Sequence, residues 1–192
     1  MNVSIFEKHH FRTSLWSGGS TTQLYISPAD TSYADRNFNI RISSAKVEVE
    51  NSTFTSLPDV NRKLMILEGE ITITHRDEYS KHLKPFDVDT FSGDWHTTAI
   101  GTCTDFNVMT TGSIKSELYS LPLAANSSTN MNLNEQWKTL YLYLFSGDLH
   151  LEIDQNDYHI KKGNLLVAID VNNSLFSLRA IDNCQVVVVK TS

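Results

Sequence analysis

Four side chains stand out by type and by phase. Arg41 lies in Phe38–Glu50, a strand-like run in which Ala45, Val47 and Val49 share one face. Carrying that alternation back puts Ser43 and Arg41 on the same face, with Ile40 and Ile42 opposite. The alternatives are a bulge at Ser43-Ser44 that turns Arg41 away, or a guanidinium snorkelling to the rim. A guanidinium inside a sheet is costly unless paired, and it offers a planar fork to a carboxylate. Glu68 shares a face with Leu64 and Ile66 and is expected to point inward, as a structural partner of Arg41 or as a reactive group. Asp105 and Asn107 alternate with Phe106 and Val108, so they form a polar pair on one strand face or cap a loop. A carboxylate base beside an Arg clamp suits metal-free isomerisation or hydrolysis, with Glu68 or Asp105 as acid/base. The same groups suit recognition of a small polar acid. No nucleophile elbow, phosphate loop or Ser/His/Asp order accompanies them.

The stretch Trp16-Ser-Gly-Gly-Ser-Thr-Thr-Gln adds a candidate loop. Gly18 and Gly19 allow backbone angles closed to other residues and close approach of a ligand or strand. They are either a plain turn or a binding loop with Trp16 as an aromatic wall. Thr22, Leu24 and Ile26 then alternate with Gln23 and Tyr25, as in a half-buried strand. The other imidazoles lack a pattern. His75 and His82 flank a charged turn and are expected at the surface, as are His9, His10, His150 and His159.

The elements that must position these groups are written twice. Leu64, Ile66, Gly69, Glu70, Ile71 and Ile73 fall, 78 positions on, upon Leu142, Leu144, Gly147, Asp148, Leu149 and Leu151. Beyond a one-residue gap, Lys84, Asp87 and Asp105 fall on Lys161, Asn164 and Asp182, and Val108 on Val186. Each copy reads strand, Gly-acidic turn, alternating strand, polar turn, strand. Repetition of one meander implies a duplicated all-β protein. The expected division is an N-terminal half over 1–120, a linker over 121–135 and a C-terminal half over 136–192. The last offers about six strands, too few for a double sheet, so N-terminal strands are expected to complete it and interlock the halves. Ser146 stands where the first copy has Glu68, and Gln185 or Cys184 near the Asn107 position, so the second copy reads as scaffold.

At 192 residues and 40% hydrophobic, the chain can bury one large core or two small ones. A net charge of -6 argues against nucleic acid and against an anionic membrane surface. No stretch approaches the ~18 apolar residues of a membrane span, and the first residues lack a signal-peptide core. Cys103 and Cys184 read as free buried thiols of a reducing compartment, a disulfide being the alternative. A cytoplasmic protein is expected.

The Gly-acidic turns followed by Leu/Ile-x-x-Gly/Phe-Asp/Asn are similar to the cupin, or RmlC-like, jelly roll. More specifically, Trp16–Gln23, Arg41-Ile-Ser-Ser-Ala, Phe54–Arg62, Leu67-Glu-Gly, Phe91-x-Gly-x-Trp95 and Thr104–Met109 resemble the HutD/Ves family of bicupins. The motifs follow the family's order over residues 16–110; from 136 onward only the general cupin pattern remains. Many members carry Trp-Lys-Asn-Gly-Gly-Gly where this chain has Trp16-Ser17-Gly18-Gly19-Ser20, so no Lys or Asn contact comes from that loop. The resemblance implies a bicupin linked to histidine utilisation or stress response. It also implies a ligand such as N-formyl-glutamate or urocanate.

Cupin enzymes usually hold a metal on His-x-His and a Glu seven residues before a Gly, with a later His. Counting back from Gly69 places Arg62 at the Glu position; from Gly147, Leu140 takes it. Only His96, in Gly93-Asp-Trp-His, fills its slot, and one imidazole makes no first-row metal site. No metal or other cofactor is expected, and His96 is expected at a pocket rim or as a ligand partner. The expected ligand-binding set is Trp16, Gly18, Gly19, Thr22, Gln23, Arg41, Ser43, Glu68, Phe91, Trp95, His96, Asp105 and Asn107. The expected role is that of a sensor or flux regulator binding a small carboxylate, with an isomerase or hydrolase as the alternative. A protein-contact module without a small ligand is the second alternative. The arm at residues 1–15 can pair with a neighbouring subunit, which would give a homodimer.

Overall fold

The computed structural model describes residues 1–192. In chain order the strands are β1 (Asn2–Phe6), β2 (Arg12–Trp16), β3 (Gly19–Ser27), β4 (Ile40–Val47), β5 (Asn51–Thr53), β6 (Val60–Gly69) and β7 (Ile71–His75). They continue with β8 (Tyr79–Leu83), β9 (Val88–Ser92), β10 (Thr97–Ile100), β11 (Cys103–Thr111), β12 (Ser116–Leu123) and β13 (Ser128–Asn132). The last are β14 (Thr139–Ser146), β15 (Asp148–Ile153), β16 (Asn156–Lys161), β17 (Leu165–Ile169), β18 (Leu175–Ala180) and β19 (Cys184–Thr191). No helix is long and apolar enough to cross a membrane.

The chain forms two compact units, each with two antiparallel sheets. Phe11–Ile114 pairs a six-stranded sheet, β2-β3-β4-β11-β6-β9, with a four-stranded sheet, β5-β10-β7-β8. Met1–His10 and Lys115–Ser192 supply the other unit, with sheets β1-β17-β14-β19-β12 and β13-β18-β15-β16. This is the duplicated jelly roll that the repeat implied. The interlock comes from one strand: β1 adds to the edge of β17, with Asn2 opposite Ile169 and Phe6 opposite Leu165.

The expected boundaries move. The N-terminal half starts after residue 10 and ends at 114, not 120. The stretch 121–135 is no linker, because β12 runs to Leu123 and β13 pairs with β18. Its Ala-Ala-Asn-Ser composition serves the turn between them, where the Ser127 amide donates to the Ala124 carbonyl and Asn126 takes a positive φ. The residue 1–15 arm is divided between β1 and β2, and both pair within the chain.

The interiors differ. The C-terminal unit is filled by aliphatic side chains, among them Leu140, Leu142, Leu144, Val186 and Val188, all fully buried. In the N-terminal unit, Leu64, Ile66, Ile73, Leu83 and Phe91 fill one part and Phe38, Leu57, Val60 and Met109 another. Polar groups take part of the space that remains. Cys103 and Cys184 are both free and buried.

Candidate functional site

The inner face of the six-stranded sheet is read from its register, since directly opposed residues share a face. One row runs Thr21, Ala45, Asp105, Ile66. The next runs Gln23, Ser43, Asn107, Leu64, and the third Ile26, Arg41, Met109, Arg62, Phe91. The alternation that placed Arg41 inward therefore holds, and β4 keeps register with β11 without a bulge at Ser43-Ser44. A cavity of about 320 Å³ opens on this face, walled by Trp16, Tyr33 and Phe54 and carrying Arg41, Arg62, Asp105 and Asn107.

Two guanidiniums sit here, each no more than 6% exposed. Arg41 is held by neutral partners: Nε donates to Gln23 Oε1 at 3.0 Å and a terminal nitrogen to Ser43 Oγ at 3.1 Å. Its carbon Cζ stacks 4.3 Å from the Tyr33 ring centre. Arg62 rests between two aromatic faces, 5.0 Å from Phe54 and 5.1 Å from Phe91. Its Nε is buried with no hydrogen-bond partner. Burial pulls the Arg41 pKa down and takes that of Arg62 to about 10, so both remain cations at neutral pH.

Asp105 Oδ1 accepts from the Ala45 amide at 3.3 Å. Burial pushes its carboxyl up to about 7, against the Ala45 amide and the Arg62 and Arg41 charges, which favour ionisation. Near neutrality the acid is thus poised between its two forms. Asn107 Oδ1 is buried without a partner. A buried polar atom without a partner costs about 1–3 kcal/mol. The cavity combines two fixed positive charges, an amide and a titrating acid between aromatic walls. The geometry and charge of such a set are complementary to a small anion with a planar carboxylate.

Trp16, Arg41, Ser43, Asp105 and Asn107 meet in the cavity as expected. Gln23 supports Arg41 from the side. Gly18 and Gly19 shape the β2–β3 turn instead. Gly19 has a φ of +149°, and a Cβ there would lie 1.9 Å from the Lys46 carbonyl oxygen; one on Gly18 would strike the Trp16 ring. Thr22 faces outward, sharing a hydrogen bond with Thr13.

Glu68 does not join the site. The register of β6 and β11 shifts between Thr104 and Asp105, which leaves Leu67 as an extra residue. One extra residue reverses the phase, so Glu68 stands exposed beside Thr104, whose hydroxyl donates to it at 3.3 Å. Phe91 backs Arg62 from the core rather than walling the cavity. Trp95 packs on the His75 ring at 5.3 Å, and His96 is exposed over a shallow groove elsewhere.

His75 is a second correction, being 1% exposed. Its Nε2 meets Asp89 Oδ2 at 2.8 Å and its Nδ1 meets Thr97 Oγ1 at 2.8 Å. The Tyr79 hydroxyl donates to Asp89 Oδ1 at 2.9 Å. The polar turn that suggested exposure begins only after this residue, the last of β7.

Arg62, Tyr33 and Phe54 are the site residues not anticipated. Arg62 was legible, because it precedes Leu64 and Ile66 in the alternation that was applied to Arg41. Tyr33 and Phe54 come from loops, where no period constrains them.

The duplication lets the two interiors be compared position by position. Asp105 opposes Ile66 on β11 and β6, as Val186 opposes Leu144 on β19 and β14. By the same pairing Asn107 corresponds to Val188 and Arg62 to Leu140. The sequence offset had put Val108 on Val186 and Asp105 on Asp182; strand pairing moves both.

A cupin metal would need three or four imidazole, thiolate or carboxylate ligands. The cavity has two guanidiniums, an amide, hydroxyls and one carboxyl. That donor set repels a cation, so the site does not fit a metal.

The sequence matches no curated protein. Among solved structures, the chain is similar to a conserved protein of unknown function from Pseudomonas aeruginosa (18% identity, 100% of both chains, TM-score 0.87). It is also similar to HutD from Pseudomonas fluorescens, solved in a formate condition (16%, 100% of both chains, TM-score 0.74). Oxalate decarboxylase from Lactobacillus farciminis, a formate complex, shares the fold at 6% identity (100% of this chain and 86% of that one, TM-score 0.73). The HutD family model matches residues 8–186, and with the duplicated jelly roll in place the chain belongs to the HutD family, the cupins linked to histidine utilisation.

Proposed function

We propose that the N-terminal barrel binds a small carboxylated metabolite without a metal and that the protein acts as a sensor or flux regulator. The observation that carries this reading is the pair of buried guanidiniums, Arg41 and Arg62, that line the cavity without a carboxylate in ion-pair contact. A carboxylate in the cavity would offset two desolvated charges at once. The family's link with histidine utilisation directs the choice toward acids such as N-formyl-glutamate and urocanate. Formate, named with two of the similar structures, is the smallest probe.

Isothermal titration and thermal denaturation with these acids test the proposal. A ligand bound at a few micromolar and supplied at millimolar concentration stabilises by about 3 kcal/mol, a shift of roughly 6–12 °C for a chain of this size. Arg41→Lys should retain the fold and lose at least tenfold in affinity, because an ammonium cannot reproduce the fork. Unchanged affinity in that variant would sink the clamp.

The position of Asp105 favours a second reading, acid–base catalysis on the bound acid. Glu68 drops out of it, since it faces the other way. Turnover of a bound acid that vanishes in Asp105→Asn while binding persists would select this reading.

A further inference from the structure

The C-terminal unit carries a second cluster, and it has the opposite chemistry. β15 and β16 form a tight hairpin across Asp154 and Gln155, both at positive φ (48° and 65°), which pins the register. Leu149, Leu151, Ile153 and Ile160 point into the core. The alternate positions therefore share the outer face: Asp148, His150 and Glu152 on β15, with Asp157, His159 and Lys161 opposite. His150 directly opposes His159, and their rings stack 4.7 Å apart at 15°. His159 Nε2 lies 2.6 Å from Asp148 Oδ1, and His150 Nδ1 lies 3.1 Å from Asp157 Oδ2. The imidazoles expected as isolated surface residues are thus paired with each other and with acids.

We propose that Asp148, His150 and His159 form a binding site for a divalent cation of the zinc class, with Asp157 beside the fourth position. One donor atom from each of the three lies within 4.8 Å of the others. Ligands of a tetrahedral zinc at about 2.0–2.2 Å stand some 3.4 Å apart, so modest rotation of these partly exposed side chains closes the shell. Two imidazoles and a carboxylate select zinc, copper or nickel over magnesium and calcium. Charge permits it: Asp148, Glu152 and Asp157 face Lys161 and, on β18, Arg179 opposite His150, which leaves the patch net negative. The hairpin supplies preorganisation, since both imidazoles are already side by side. The site is independent of the acid-binding cavity, and nothing in the proposed function requires it.

The test is titration of the chelator-treated full chain with zinc chloride alone, with and without His150→Gln and His159→Gln. One equivalent should bind in the micromolar range and weaken at least tenfold in either variant. His9→Gln/His10→Gln should bind as the parent does. Imidazole nitrogen NMR gives a readout that survives any change in stability: zinc should shift His150 and His159 and leave the other five histidines in place. Absence of saturable binding, undiminished affinity in the doubly substituted His150→Gln/His159→Gln chain, or zinc-induced shifts confined to other histidines would each overturn the assignment.

Discussion

Asp105 gives the acid-binding proposal its most demanding test, because its charge should govern affinity near neutral pH. Below about pH 7 the carboxyl is protonated and a bound carboxylate faces only Arg41 and Arg62. Above it, the new anion repels the ligand. At a separation of about 6 Å and an effective dielectric near 20, two unit charges interact by roughly 3 kcal/mol, or about 100-fold in affinity. The carboxyls of formate and N-formyl-glutamate ionise below about pH 5, so with these two acids the ligand's own titration does not intrude above pH 6. Urocanate, whose imidazole titrates in this range, is left out of the assay. Affinity measured by titration calorimetry should be flat below pH 6 and fall about tenfold per unit above pH 7. It should level off near pH 9, about 100-fold weaker, with proton uptake on binding in between. Asp105→Asn should bind at the low-pH level throughout. The same residue sets a stability slope of known sign. A carboxyl raised from 3.8 to about 7 by folding leaves its stability contribution intact below pH 4 and loses it as pH rises through 7. The Asn variant should gain on the parent over that interval by a few kcal/mol, with roughly 4 as the ceiling. A pH-independent affinity in the parent, or an equal slope in the variant, would refute the argument.

Other substitutions probe the frame of the site. Arg62→Met keeps a flexible chain between Phe54 and Phe91 and removes a desolvated charge, so urea denaturation should show stability unchanged or up by about 1–2 kcal/mol, with acid affinity reduced at least 100-fold. His75→Ala should cost about 2–4 kcal/mol in the same assay, because it removes one partner of the buried Asp89 carboxylate, leaving Tyr79 and Lys81, and opens a space beside Phe91; a loss under 1 kcal/mol would contradict the network. Glu68→Gln should leave acid affinity within twofold, and a larger loss would mean that the bulge at Leu67 does not turn this side chain outward.

The amino-acid order alone determined the class of fold, the shared face of Arg41 with Ala45 and Val47, and the shared face of Asp105 with Asn107. That both faces turn inward was decided by the fold. Two-residue periodicity is local, so Arg41 can be placed against Ala45 and Val47 within a single strand. The repeat of Leu64–Ile73 on Leu142–Leu151 likewise needs only one chain read against itself. Family membership followed from the motifs between Trp16 and Met109, and the match over residues 8–186 bears it out. Tertiary structure decided what lies beyond one strand. Parity fails at the first bulge, and the extra Leu67 turned Glu68 from the site to the surface. Pairing joins residues far apart in the chain, so only the fold could bring Asp89 to His75, add Asn2–Phe6 to the edge of β17, or draw β13 from an apparent linker. It also set Arg41 and Arg62 on opposite sides of Met109, two strands apart across β11, which turned a single guanidinium into a two-cation cavity. Period fixes which side a residue faces; register, which depends on distant strands and their bulges, fixes what it meets there.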